Sequence, residues 1–200
     1  MVTPPENKKR HFLMPATLFA SAEEHEVTTI LGSCISVCLF DPRRGRGGIN
    51  HFMLPLRNGE QMASPKYGNI AIAKLIEQLS RLGCRVADLR AKLFGGGMVL
   101  SLQADRVRSV GESNILIARE LLAEYGIPVV ASDVGGACSR RIVFNTRTGD
   151  VMESRLASPN PMQRASSRTV SRSAPRSSPG NVRPAQVELG IRSRGTGPPV

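Results

Sequence analysis

Between residues 11 and 157, short apolar runs of strand character alternate with two amphipathic stretches of helical period, and this alternation restricts the chain to layered architectures. The first helical stretch opens at Asn69, carries Ile72, Leu75, Ile76, Leu79 and Leu82 at helical spacing, and ends at Gly83. The second is predicted to start from a Ser113/Asn114 cap. It carries Ile117, Ala118, Leu121, Leu122 and Tyr125 on one face and stops at Gly126, ahead of Pro128. Both apolar faces read as core. Strands are expected over Leu31 to Phe40, Ala91 to Phe94, Pro128 to Ala131 and Arg141 to Phe144. The last of these returns through Thr146-Arg147-Thr148-Gly149 into Asp150 to Glu153. The fold class is therefore a mixed α/β domain with helices packed on strands.

Two hundred residues, 40% of them hydrophobic, suffice for one good core. That core is assigned to residues 11–157, behind a polar N-terminus (residues 1–10) read as disordered. From Ser158 the composition shifts: seven arginines face the single acid Glu188 among serines and prolines, with no aromatic residue and no period. Such a segment cannot bury enough surface to offset its ordering entropy, so residues 158–200 are expected to be a disordered tail. The tail carries more than half of the formal charge of +11 and would touch anionic partners in a salt-dependent way. Specific nucleic-acid binding is not expected, because no aromatic side chains interleave with the arginines as stacking platforms. No apolar run approaches the roughly 20 residues that span a bilayer, and no signal-peptide core follows the N-terminus. A cytoplasmic monomer is expected, and four cysteines without framework spacing suit a reducing compartment.

Chemistry concentrates at Leu31-Gly32-Ser33-Cys34, with His51 following after Gly47-Gly48-Ile49-Asn50. If Ile35 to Phe40 and Asn50 to Leu54 are successive strands, Asp41-Pro42 and Gly45 to Gly48 supply the return, and Cys34 meets His51. A thiol beside an imidazole is the minimal equipment of nucleophilic catalysis. The competing reading, cysteine as a small buried hydrophobe, suits Cys38, Cys84 and Cys138. It suits Cys34 less well, at the junction of a glycine turn and a strand. A zinc site on Cys34, Cys38 and His51 would need a fourth ligand from His11, His25 or an acid, and no paired knuckle is present. The glycine clusters Phe94 to Met98 and Asp133 to Gly136 lack phosphate-loop signatures and read as tight turns or site-lining loops.

Taken in order, Leu31-Gly32-Ser33-Cys34, Phe40-Asp41-Pro42, Gly48 to Pro55, Lys92-Leu93-Phe94-Gly95-Gly96, Gly111-Glu112-Ser113-Asn114 and Asp133-Val134-Gly135-Gly136 resemble the motifs of the chemoreceptor glutamine deamidases of bacterial chemotaxis, the CheD family. The resemblance covers residues 11 to 153. It implies a layered α/β fold similar to glutamine-deamidating toxins and a catalytic Cys34/His51 pair. A third member, a threonine six residues before the cysteine, is Thr28 here. Two departures stand out: Ser113 occupies a position where many relatives have arginine, and the tail has no counterpart.

The implied reaction is hydrolysis of receptor glutamine side chains to glutamate, with ammonia released through a thioester and no metal or organic cofactor. Thr28 would orient the imidazole, although a β-branched strand residue is an equally good reading of it. Backbone amides near Ser33 and Cys34 would receive the oxyanion, with Gly32 and Ser33 lining the site. Methyl-accepting chemotaxis receptors are the implied substrates, with esterase side activity conceivable. The resemblance also implies docking to a CheC-type chemotaxis phosphatase, which leaves an adaptor role open, and a cysteine peptidase would use the same pair.

Overall fold

The computed structural model describes residues 9–57, 62–98 and 109–156. Nine strands and two helices run in the order β1 (Lys9–Phe12), β2 (Thr17–Ser21), β3 (His25–Leu31), β4 (Ile35–Asp41), β5 (Arg46–His51), α1 (Gly68–Arg81), β6 (Arg90–Gly95), α2 (Val110–Glu124), β7 (Val129–Val134), β8 (Ser139–Asn145) and β9 (Val151–Leu156). Strand β1 takes in Lys9 and Arg10, two residues ahead of the expected start of the folded domain. The tail from Ser158 lies outside the described residues.

The strands form two sheets, one of four in the order β1-β3-β8-β9 and one of five in the order β2-β5-β4-β6-β7. Period-two alternation along β4 explains the layering. Ile35, Val37 and Leu39 pack with Ala71, Ile72, Leu75 and Leu79 of α1 and Ala118 and Leu122 of α2. Cys34, Cys38 and Phe40 face the opposite way, into a second core with Val27, Leu31, Ile49, Ile142 and Phe144. The result is three layers: helices, five-stranded sheet, four-stranded sheet.

Strand β5 lets α1 approach closely because it carries Gly48, where a Cβ would meet the Leu75 side chain at 2.7 Å and the Phe19 carbonyl at 2.8 Å. The expected strand from Leu31 to Phe40 is two strands in different sheets. Leu31 ends β3, Ile35 begins β4, and Gly32-Ser33-Cys34 cross between the layers. Helix α2 is capped at Ser109, four residues before the expected Ser113. Ser109 and Glu112 form a reciprocal capping box, and this two-way satisfaction of free N–H groups outcompetes Ser113/Asn114.

Candidate active site

Every carbonyl of the crossover is tied down. Gly32 O accepts from Gly97 N at 2.8 Å and Cys34 O from Gly96 N at 2.8 Å. Ser33 O accepts from Asn114 Nδ2 at 3.1 Å. The close fit needs Gly95, which has φ +110° and where a Cβ would fall on the Cys34 carbonyl. Arg140, only 2% exposed, holds this strap from the other sheet through Gly95 O at 3.1 Å, Gly135 O at 2.6 Å and Asp133 Oδ1 at 2.8 Å.

His51 ends β5 beside the crossover. The β4–β5 ladder pairs Cys38 with Ile49 and runs on to Asp41 with Arg46. Beyond an opening the same register resumes, with Ile35 bridging Phe52. Asn50 Oδ1 spans the opening by accepting from Val37 N at 2.9 Å. Continuing that register sets His51 opposite Ser36, with Cys34 as its diagonal neighbour on the same face, about 7–8 Å away along the backbone and nearer between side chains.

The imidazole is 2% exposed, and its Nδ1 lies 2.8 Å from Thr29 Oγ1. The same hydroxyl donates to Leu13 O at 2.9 Å. A hydroxyl has one proton, so Thr29 accepts from Nδ1–H, and the neutral ring keeps its lone pair on Nε2. That Nε2 is buried without a hydrogen-bond partner among the described residues. Burial pulls the His51 pKa down to about 4. Burial also pushes the half-buried Cys34 thiol up, against the opposing pull of a hydrogen bond from its own backbone N–H. The resting pair is therefore thiol and neutral imidazole, with a free base lone pair available for the thiol proton.

The strand register thus sets Cys34 and His51 on one face, toward the inter-sheet layer. It does not bring Thr28 to the imidazole. Thr28 lies on the outer face of the four-stranded sheet in register with Phe12 and Val143, and the hydroxyl on Nδ1 belongs to Thr29. The signal was in the alternation: Val27 and Leu31 point inward, so Thr29 between them must as well. Asn50, Asn114 and Arg140 were not singled out for the site, and nothing in local sequence distinguishes a buried polar clamp from a surface residue. Cys38 is fully buried, Cys84 is buried, and both thiols are pushed up, foremost by burial. Among the described residues no group of three or more His, Cys, Asp or Glu could hold a metal ion.

The family of CheD chemotactic sensory transduction proteins matches residues 53–155. A probable chemoreceptor glutamine deamidase CheD of Trichlorobacter lovleyi is 50% identical over 144 residues, covering 72% of this chain and 89% of that protein. One from Sulfurimonas denitrificans is 44% identical, covering 72% of this chain and 92% of its own length. The crystal structure of the Bacillus licheniformis hypothetical protein YfiH overlaps 56% of this chain and 46% of its own, at 20% identity and a TM-score of 0.36, a likeness too slight to carry an argument. With half of 144 aligned residues identical across 89% of a relative's length, the chain belongs to the CheD family.

Proposed function

We propose that this chain hydrolyses the side-chain amide of glutamines in chemotaxis receptors, in the cytoplasm, with Cys34 as nucleophile and His51 as base. The relatives' names support the substrate, and the orphaned Nε2 of a ring whose other nitrogen is pinned by Thr29 is the observation that carries the mechanism. In this reading Nε2 takes the Cys34 proton as the sulfur attacks the carboxamide carbon. The oxyanion forms beside the Cys34 amide, which already points at its own sulfur. Collapse breaks the C–N bond, Nε2–H donates to the leaving nitrogen, and ammonia departs from a thioester. Water then attacks the thioester carbon, its proton passes to Nε2, and the C–S bond breaks to give glutamate and the thiol. Thr29 stands where a triad's third member does, keeping the proton on Nδ1 so that Nε2 remains basic.

Mass spectrometry of a receptor cytoplasmic fragment tests this directly, since each deamidation adds about one dalton while peptide cleavage would split the chain. Cys34→Ala, Cys34→Ser and His51→Ala are expected to abolish the shift, whereas Cys84→Ala and Cys138→Ala keep it in folded protein. Turnover by Cys34→Ser at the wild-type rate would refute the nucleophile. A full rate in folded His51→Ala would remove the base and favour an adaptor.

A further inference from the structure

The side chain of Asn114 is fully buried on α2, 81 residues away in sequence from the crossover it touches. Both of its N–H bonds are committed, one to Ser33 O at 3.1 Å and one to Met53 O at 2.9 Å. Two carbonyl partners fix the amide's orientation, because the oxygen end cannot donate. Its Oδ1 is left buried with no partner among the described residues. An unpaired buried acceptor is costly, so the group is not arranged for its own hydrogen-bonding satisfaction.

What the two bonds hold is specific. Ser33 C=O belongs to the peptide whose N–H is that of Cys34. In a trans peptide these point in opposite directions, so anchoring the oxygen on α2 aims the Cys34 N–H away from the helix. Met53 lies just past Phe52, whose peptide bonds to Ile35 in both directions at 3.0 and 3.1 Å, one residue after His51 and one after Cys34. A single carboxamide therefore links the nucleophile's peptide to the strand that carries the base. The N-terminal turn of α2 is pressed onto the same strap, since a Cβ on Gly111 would meet Gly96 O at 2.5 Å.

We propose that Asn114 is a positioning residue that aims the Cys34 amide as oxyanion donor. This rests on the deamidase reading above. Asn114→Ala removes both donors, and Asn114→Asp replaces them with a group of the same shape. In the full-length chain acting on a receptor fragment, kcat is expected to fall about 10²-fold or more with KM little changed, the scale of losing one oxyanion donor. Alkylation of Cys34 by iodoacetamide, a displacement at carbon that builds no oxyanion, should proceed at nearly the wild-type rate. A wild-type kcat in either folded variant overturns the proposal. So do parallel losses of kcat, alkylation and melting temperature, or failure of both variants to fold, which would make the amide a structural group only. Cys34→Ala run alongside separates the two ideas. Activity retained there sinks the mechanism, while a dead Cys34→Ala beside a full-rate Asn114→Ala sinks only the clamp.

Discussion

Burial dictates a neutral resting imidazole at His51, and that has a consequence for stability as well as for catalysis. The folded chain holds the His51 pKa near 4, against 6.5 for an unperturbed histidine. Between those values the unfolded chain binds more protons than the folded one. The contribution of neutral His51 is thus fully present above about pH 6.5 and is lost as pH falls toward 4, up to roughly 3 kcal/mol. Urea unfolding of wild type and His51→Gln at neutral pH and near pH 4 isolates this term from the carboxylates. Wild type should lose about 3 kcal/mol more than the variant over that range, and equal losses would mean the ring is not buried neutral. The adjacent threonines give a second test. Thr29→Val leaves Nδ1–H buried and unpaired and frees the ring to exchange tautomers. A kcat loss of roughly 10- to 100-fold is expected, the value of a hydrogen bond worth about 1–3 kcal/mol. Thr28→Val, on the outer face in a row with Phe12, Val143 and Met152, should turn over like wild type. The opposite ranking in steady-state rates would return the role to Thr28, as the family resemblance implies.

At the scale of elements, what was legible is what repeats locally. The apolar spacing from Ile72 to Leu79 gave α1 within a residue of its start, Gly68, because Ala71, Ile72, Leu75, Ile76 and Leu79 all bury one face. Strands β6 and β8 cover their expected runs for the same reason, while β7 and β9 overlap theirs and each run three residues further, with no fully buried side chain to mark the end. The start of α2 was missed although Ser109-Val110-Gly111-Glu112 spells a capping box, since Val110 and Gly111 are poor helix formers that hide the first turn. Strands β1 and β2 escaped notice because their order comes from distant partners. β1 is an exposed four-residue edge lying parallel to β3, and β2 pairs with β5 some thirty residues on. The site divides the same way. Cys34 and His51 are announced by a glycine turn and a hairpin, both local. Asn114 and Arg140 act across 81 and 45 residues, and only the assembled layers show what they touch.

For the molecule as a whole, two sheets closed on an apolar layer need nothing polar between them, yet polar links join them at the site end, and Arg155 of β9 adds a bond to Asp133 of β7 at 2.9 Å. One is Thr29 to His51, from β3 to β5. Another is Arg140 of β8, which reaches Gly95 of β6 and Asp133 of β7 and pairs with Glu153 of β9 at 3.2 Å. The second is the stronger constraint, because its guanidinium is buried between carboxylates of opposite tendency. A hydrogen bond from Arg155 foremost, with Arg140 adding to it, holds Asp133 below the usual carboxylate range, while burial and then the nearby Asp133 push Glu153 above it. Removing the cation would leave these acids facing each other and take the guanidinium from the Gly135 carbonyl, while Gly95 O keeps the Gly135 N–H at 2.8 Å. Arg140→Met keeps much of the volume and should cost about 3–5 kcal/mol in urea unfolding, the usual penalty for breaking one side of a buried ion pair. Arg140→Lys should recover little, since a point charge cannot reproduce a fork that meets several acceptors at once. Deamidation should fall in both variants even where the fold persists, because the glycine strap released from Arg140 is the one that holds Gly32 and Cys34. A stability change below about 1 kcal/mol in Arg140→Met would show that the apolar layer alone holds the sheets together and that the arginine is not a structural tie.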